Sequence, residues 1–182
     1  MFRVRFSVRT FSVLVFGSLA LAGCNASERA SERGSDPGGS DPEAGGEWVV
    51  TDGGAGPIRA GMTADEIRPH IATLGALEEC SYAKVPAAPG LLVMLVDGKV
   101  VRLDVIEAGI ATAAGAKVGD TEQRVRELYP GLRVEPHKYT DGHYLVVDSN
   151  PGRRLVFETD GARVTRYRAG AVPQVDWVEG CS

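Results

Sequence analysis

Two histidines and two acidic residues lie close together in the second half of the chain and could bind a divalent metal. They are Glu135, His137, Asp141 and His143, and imidazole and carboxylate groups are common zinc ligands. The Asp141-Gly142 pair favours a tight turn that would make the two histidines cross-strand neighbours. A tetrahedral site needs third and fourth ligands, and no His-x-x-x-His helix or cysteine pair supplies them. We therefore interpret the segment as a surface hairpin and predict no bound metal.

The chain lacks the short motifs that mark common enzyme classes. It contains no Gly-x-Ser-x-Gly nucleophile elbow, no Walker-type phosphate loop and no dinucleotide fingerprint after a predicted strand. The adjacent carboxylates of Glu78 and Glu79 could perform acid–base chemistry only at a suitable separation. At a helix end, such a pair is typical of a solvated surface. The sequence thus predicts a protein that is not an enzyme and needs no cofactor.

Five arginines stand out against an acidic background. They fall in two predicted strands and the turn between them: Arg153, Arg154, Arg163, Arg166 and Arg168. An arginine fork binds carboxylate and phosphate groups with two hydrogen bonds. The cluster is therefore a candidate binding surface for lipopolysaccharide, peptidoglycan stem peptides or an acidic protein. The alternative is a solvated sheet face whose charges protect an edge from aggregation.

The N-terminal stretch has the three parts of a secretory signal: a basic start, an apolar run over residues 11–22 and small residues at a cleavage site. The run is too short to span a bilayer, which needs about 20 apolar residues. Its last part, Leu21-Ala22-Gly23-Cys24, resembles the lipobox of bacterial lipoproteins. That resemblance implies cleavage before Cys24, acyl chains on its thiol and, with Asn25 in place of an aspartate, the outer membrane. The alternative is an ordinary signal peptide with a coincidental cysteine.

Export favours a disulfide between the two remaining cysteines, Cys80 and Cys181, because an exported chain meets an oxidising compartment. Closing a loop of about 100 residues stabilises by up to roughly 4.7 kcal/mol in the chain-entropy model. A catalytic thiol is the alternative, but it would need a neighbouring base. Neither cysteine has a histidine near it in the sequence.

The composition divides the chain into a leader, a tether and one domain. The formal net charge is −4, and removal of the leader's three arginines leaves 17 basic against 24 acidic residues, a net charge of −7. This balance argues against a nucleic-acid binder, which needs a basic face. Residues 25–46 are rich in Ser, Gly, Pro and acidic residues, and they cannot bury enough apolar area to fold. We expect a signal peptide at 1–23, the lipidated cysteine and disordered tether at 24–46, and a folded domain at 47–182.

The domain's first predicted helix begins with a capping box, Thr63-Ala64-Asp65-Glu66. Apolar residues at i, i+4 and i+7 would form its buried face: Ile67, Ile71 and Leu74. Pro69 should kink or divide this helix, and Gly75 should stop it. A second helix should follow Thr121 and end at Pro130-Gly131.

Apolar runs and tight turns predict the strands. Their ranges are 91–96, 99–106, 133–139, 143–147, 154–158 and 162–168. Asp97-Gly98 is a strong signal for the turn between the first two strands. The alternation in 99–106 places Val101, Leu103 and Val105 on one face and Asp104 nearer to solvent.

The helix and strand signals occur twice. Gly61-Met62-Thr63 is matched by Gly119-Asp120-Thr121, and the Asp-Gly turn at 97 is matched by one at 160 with nearly the same offset. We predict two modules, over about 57–108 and 109–182. The fold class is α+β: one antiparallel sheet from two helix-plus-hairpin modules, with short helices packed on one face.

The order of Gly-x-Thr, amphipathic helix and tightly turned strands resembles the small lipoprotein of the outer-membrane barrel-assembly machine. Its doubling also resembles the two-module fold of β-lactamase inhibitor proteins. The resemblance covers about residues 57–170 and rests on the two Gly-x-Thr sites, where Pro69 departs from an uninterrupted helix. It implies a non-enzymatic protein that uses a sheet to contact other proteins. The Gly-x-Thr residues begin helices in that fold, so no functional residue is carried over.

The sequence therefore predicts a membrane-anchored envelope lipoprotein that acts as a protein–protein interaction module in envelope assembly or maintenance. The alternative is an inhibitor or a glycan- or ligand-binding module facing exported hydrolases or cell-wall components, with an anionic cell-wall component as its partner. Trp48 and Trp177 flank the domain at its two ends. They should either pack together and close the domain, or leave Trp177 as an interface anchor.

Overall fold

The computed structural model describes residues 48–72, 74 and 78–181. The predicted signal peptide, the lipidated Cys24 and the tether at 24–46 lie outside the described residues. The described part forms a sheet-dominated α+β domain with two sheets and a few short helices. The α+β prediction is confirmed at this level, but the prediction of one sheet is wrong.

The described residues form eleven strands, numbered in chain order. They are β1 (Val49–Thr51), β2 (Gly54–Ala55), β3 (Ile58–Arg59), β4 (Cys80–Lys84), β5 (Leu91–Val96), β6 (Lys99–Val105), β7 (Ala111–Thr112), β8 (Arg133–Pro136), β9 (His143–Asp148), β10 (Arg153–Thr159) and β11 (Val164–Ala171).

The larger sheet is antiparallel throughout and has the strand order β4-β5-β6-β11-β10-β9-β8. Its central seam is the pairing of β6 with β11. The predicted turn between β5 and β6 is confirmed, because Asp97 and Gly98 both have positive φ, at 49° and 70°. A two-residue hairpin turn of this kind requires positive φ at both positions.

The smaller sheet has the order β3-β2-β1-β7, with β1 parallel to β7. Each of its strands spans only two or three residues. Its residues Val50, Ala55 and Ile58 are buried in the same core cluster as the inner face of the large sheet. The sequence analysis did not predict this sheet, because strands this short show no periodicity.

The first helix, α1 (Ala64–Ile67), begins with the predicted capping box. The Thr63 amide donates to Glu66 Oε2 at 2.7 Å, and Thr63 Oγ1 accepts from the Glu66 amide. The helix is shorter than predicted, because Pro69 falls at its end and the chain continues as a 3-10 helix over Arg68–His70. Ile71 lies beyond both helices, although it still packs against the core.

The second helix, α2 (Glu122–Leu128), begins and ends where the sequence predicts. Thr121 Oγ1 accepts from the Arg124 amide at 3.1 Å, which caps the first turn. The helix ends at Tyr129, immediately before Pro130. Its Val125 is fully buried in the core, as is Ile67 of α1, so both helices pack on the same face of the large sheet.

A β-bulge changes which residues of β6 face the core. Met94 pairs with Arg102 and Leu95 pairs with Val100, so Val101 has no partner across the ladder. Val100 and Leu103 consequently reach the core, whereas Val101 is only half-buried. The sequence predicts Val101, Leu103 and Val105 on one face of β6, and this prediction is wrong for Val101.

The two halves use the same backbone contacts. The Gly61 amide donates to Val100 O at 2.7 Å, and the Gly119 amide donates to Val164 O at 2.9 Å. Each pair joins the start of a helix to the second strand of a hairpin. The β-bulge also recurs at the equivalent place, where Thr165 of β11 has no partner in β10. The equivalences agree with two related modules, and the boundaries at 57–108 and 109–182 stay a prediction.

The large sheet has two differently covered faces. Its inner face packs against α1, α2 and the small sheet, in a core that includes Phe157 and Tyr167. On its outer face, Tyr144, Val146 and Val156 form a second, smaller apolar cluster with Val175. Val175 belongs to the C-terminal segment, so this segment folds back over the sheet and covers part of the outer face.

Candidate functional site

The C-terminal strap, defined here as residues 172–181, runs across the outer face of the large sheet. It contains a 3-10 helix, Gln174–Asp176, and its Val175 is fully buried. At its end, Cys181 forms a disulfide with Cys80 at the start of β4, with Cα atoms 5.4 Å apart. The predicted disulfide is confirmed.

Arg102 of β6 holds the middle of the strap. Its Nη1 donates to the backbone carbonyls of Gln174 at 3.1 Å and of Trp177 at 2.6 Å. Its Nε donates to both carboxylate oxygens of Asp104, at 3.0 and 2.9 Å. The side chains of Arg102 and Asp104 are only 5% and 9% exposed. The expectation that Asp104 lies nearer to solvent is therefore wrong.

Arg168 of β11 holds the strap at a neighbouring point. Its Nε donates to Val175 O, and its Nη1 donates to Glu158 Oε1. The guanidinium carbon lies 5.6 Å from the centre of the Tyr144 ring. Because Arg168 is almost fully buried, it serves the fold rather than offering a free guanidinium to a ligand.

Surface ion pairs add to these ties. Arg154 Nη1 lies 2.7 Å from Asp176 Oδ2, and Lys138 Nζ lies 3.0 Å from Glu179 Oε1. Tyr139 also contacts the Glu179 carboxylate. The strap is thus fixed along its length by the disulfide, two buried arginines, an apolar side chain and ion pairs on its outer side.

A groove of about 600 Å³ lies between the end of the strap and the start of β4. Its apolar lining comes from Trp177, Val178, Val96 and the disulfide, and carboxylates from Glu78, Glu79 and Glu179 line the rest. Trp177 remains 37% exposed. Among residues 48–72, 74 and 78–181, no lysine, arginine or histidine side chain forms an ion pair with Glu78 or Glu79.

Tyr82 flanks the same end of the strap. Burial raises the pKa of its hydroxyl, and the nearby Asp104 carboxylate raises the pKa further. The hydroxyl therefore stays protonated at neutral pH. A side chain on Gly180 would come within 2.7 Å of this hydroxyl, and Gly180 has a φ of +66°. Glycine is thus required where the strap passes Tyr82.

The structure does not bring the five predicted arginines together. Arg154, Arg166 and Arg168 lie on the outer face, where Arg154 pairs with acidic residues and the other two contact Glu158. Arg153 donates to Asp52 O at 3.1 Å, and Arg163 donates to Gly119 O at 2.8 Å. Each guanidinium already has an acceptor within the domain. The five arginines therefore lie on different parts of the domain, and a binding role for them stays a prediction.

The two histidines bind different carboxylates. His137 Nε2 lies 3.6 Å from Glu158 Oε2, and its ring stacks on Tyr144 with centres 4.5 Å apart. His143 Nδ1 lies 2.7 Å from Glu122 Oε1 at the start of α2. Within the described ranges, no group of three or more His, Cys, Asp or Glu side chains is placed to hold a metal ion.

The two tryptophans do not pack together. Trp48 packs against Gly56 near the small sheet, and a Cβ on Gly56 would lie 2.7 Å from the indole ring. Trp177 lies instead beside the disulfide, on the outer face. The prediction that the pair closes the domain is wrong. The open alternative, Trp177 as an interface anchor, agrees with its partial exposure.

The sequence did not predict the strap or the role of Arg102, and it placed Arg168 in a surface cluster instead of beneath the strap. One signal was available: the order Val175, Trp177, Val178 at the chain end supplies apolar side chains that need cover. A second signal was the charged pair at 102 and 104, which alternates with apolar residues in a strand. In the part of the chain that the structure describes, no helix has the length and apolar character needed to cross a membrane.

Comparisons with known proteins do not assign the chain to a family. No protein-family model matches the chain, and no curated protein matches it. A solved structure with a similar arrangement is that of the uncharacterized protein yfeY from Escherichia coli, with a TM-score of 0.45 and 12% sequence identity. The match covers 67% of this chain and 99% of that chain. At this level of similarity, it carries no argument about function.

Proposed function

We propose that the protein is a lipid-anchored envelope protein whose domain binds another protein at the groove beside Trp177. The observation that carries this proposal is the placement of Trp177. Its main chain is held by Arg102 and the neighbouring disulfide, while its side chain stays 37% exposed and lines a groove that combines apolar residues with three glutamates. A large aromatic side chain fixed in position loses little entropy on binding, and tryptophan is enriched among residues that dominate binding energy.

The charged residues of the outer face favour a binding role over catalysis. Arg102 donates hydrogen bonds to Asp104 and to the strap, and Arg168 donates to Glu158 and to the strap. These groups therefore build a rigid support beneath the groove. A rigid support suits a preformed interface, because less ordering is needed when the partner binds.

The anchor is Cys24, with acyl chains that hold the domain at a membrane, and Asn25 favours the outer membrane. One acyl chain alone gives marginal membrane binding, and two or more give stable anchoring. A chain of about 22 residues with the unfolded character that the sequence predicts for 25–46 would reach roughly 25 Å at about 5–6 Å × √n. The anchor would then confine the groove to a thin layer next to the membrane, which raises the effective concentration of an envelope partner there.

Site-specific photo-crosslinking in cells tests this proposal. A photo-reactive phenylalanine replaces Trp177 in one variant and Val134 of β8 in a matched control, because these positions are 37% and 39% exposed. We expect one envelope protein to be captured from position 177 and not from 134. If both positions capture the same background proteins, the groove is not a docking site.

The identity of the captured protein separates the two functional alternatives. A component of an assembly or maintenance complex would support the interaction module. An exported hydrolase that loses activity in the complex would instead make the protein an inhibitor. Since the groove is the same in both cases, Trp177→Ala should abolish either capture when the photo-reactive group is placed on the partner.

A further inference from the structure

The corner where the chain enters the domain differs from the rest of the surface. We call it the tether corner and define it by Trp48, residues 85–90 and residues 106–116. The two loops touch, since the Ile106 amide donates to Gly90 O at 3.0 Å. The Ala113 amide donates to Val50 O at 2.9 Å, which ties the second loop to β1. A cleft of about 360 Å³ runs between Trp48 and both loops.

The tether corner is nearly without charge. Among the seventeen residues of its two loops, Glu107 alone is charged, whereas 24% of the whole chain is charged. Small and apolar residues form its exposed part, including Ala87, Pro89 and Ala108. Ile106, the first residue of the second loop, is 42% exposed. Contiguous exposed apolar patches can mark sites of membrane or protein contact.

We propose that the tether corner rests on the surface of the bilayer to which Cys24 is anchored. The inference rests on the lipid anchor of the proposed function. Residues 24–47 join the anchor to Trp48, so the tether enters the domain at this corner. Few charged groups need to lose water there, and tryptophan favours the membrane interface because its ring is apolar with one polar tip.

The contact is weak by itself and is made effective by the anchor. The loops present one large exposed aliphatic side chain, Ile106, and several methyl-sized residues. Tethering makes the contact intramolecular, so a surface too weak to recruit a free domain becomes populated. This explains how an acidic domain can lie on a membrane without a basic face.

The same arrangement leaves the Trp177 groove accessible. The groove lies at the Cys80 end of β4, and residues 85–90 follow the Lys84 end of that strand. At about 3.3 Å per residue, the two ends of β4 are roughly 13 Å apart. The tether corner and the groove thus lie at opposite ends of β4, so the corner's contact with the bilayer does not require the groove.

The two tryptophans provide a native probe and a native control. The full-length lipidated protein is reconstituted into vesicles whose acyl chains carry bromine, a short-range quencher of indole fluorescence, and into matched vesicles without bromine. Trp177→Phe leaves Trp48 as the reporter, and Trp48→Phe leaves Trp177. We expect bromine to quench Trp48 and to leave Trp177 unquenched. Equal quenching of both residues, or of neither, would overturn the inference.

Two charge variants test the contact itself. In the Trp177→Phe background, Ile106→Asp should abolish the bromine quenching of Trp48. Val134→Asp places the same charge at a similarly exposed apolar residue on β8, so quenching should persist. If Ile106→Asp leaves the quenching unchanged, the corner does not rest on the bilayer. Circular dichroism of each variant verifies that the domain stays folded.

Mass spectrometry of the purified protein separates the two proposals. If Cys24 carries acyl chains and Trp48 is not quenched, the anchor stands and the tether corner is refuted. If Cys24 carries no lipid, the anchor is refuted, and the mature chain is coupled through the Cys24 thiol to a maleimide lipid. This coupling is selective because Cys80 and Cys181 are joined in the disulfide. Quenching in the coupled protein then tests the corner directly.

Discussion

Replacement of Arg102 by methionine should strongly destabilise the domain. The variant leaves the Asp104 carboxylate buried without its partner, and the pair is 5% and 9% exposed in the wild type, so solvent screens it little. Removing one partner of a buried ion pair costs about 3–5 kcal/mol. The carbonyls of Gln174 and Trp177 also lose a donor. They regain water when the strap loosens, which limits their share to about 1 kcal/mol each.

A double variant separates the charge from the strap. Arg102→Met combined with Asp104→Leu removes the unpaired carboxylate but still leaves both strap carbonyls without their donor. Apolar replacement of a whole buried ion pair is often neutral or stabilising. The double variant should therefore recover most of the loss and remain below the wild type by about 1–2 kcal/mol, the share of the two carbonyls.

Urea unfolding followed by circular dichroism measures all three proteins, because a single domain of this size normally unfolds in one transition. The expected order of stability is wild type, double variant, single variant. A single variant within about 1 kcal/mol of the wild type would refute the view that Asp104 needs its partner. A double variant as unstable as the single one would place the cost in the strap instead.

Two further changes test the ties at each end of the sheet. Replacing both Cys80 and Cys181 by serine removes a cross-link between residues 101 apart, so the free energy of unfolding should fall by up to about 4.7 kcal/mol. The wild type unfolded in reductant should behave like this variant. An unchanged urea midpoint would contradict the argument. Burial raises the pKa of Glu122, but hydrogen bonds from Thr159 and His143 bring it below the ordinary value of 4.5. The ionised carboxylate therefore stabilises the fold above pH 4.5 and loses this effect as the pH falls through the lower folded pKa. Glu122→Gln should accordingly be less stable than the wild type at pH 7. If the difference in stability between the two proteins persists in acid, the argument is contradicted.

Local signals predicted the helix starts and the central hairpin well. Thr63 and Thr121 each cap a helix by a contact within four residues, so the sequence alone carries that information. Asp97-Gly98 specifies its turn in the same local way. The five-residue strand β4 was not predicted, because it is defined by pairing with β5 rather than by its own pattern.

The faces of the strands were harder to predict, because a bulge and a distant segment decide them. The unpaired Val101 shifts the alternation of β6 by one residue, and the sequence contains no separate signal for that shift. Arg102 and Asp104 would face solvent on an open sheet. They are buried only because the strap, which lies far along the chain, covers them.

At the pairing of β6 with β11, the residues that correspond in the two halves of the domain differ in sequence. β6 and β11 pair antiparallel, with Asp104 opposite Arg168 and Val105 opposite Tyr167. Val100 is equivalent to Val164, and four residues further along each strand Asp104 is equivalent to Arg168. Asp104 and Arg168 also pair with each other across the seam, so they lie where a pseudo-two-fold axis would pass. Identical charges there would repel directly across the ladder, which is destabilising. Like charges at these two positions are therefore disfavoured, whereas the recurring signals of the sequence, Thr63 and Thr121 at the helix starts and the Asp-Gly turns, lie away from this pairing.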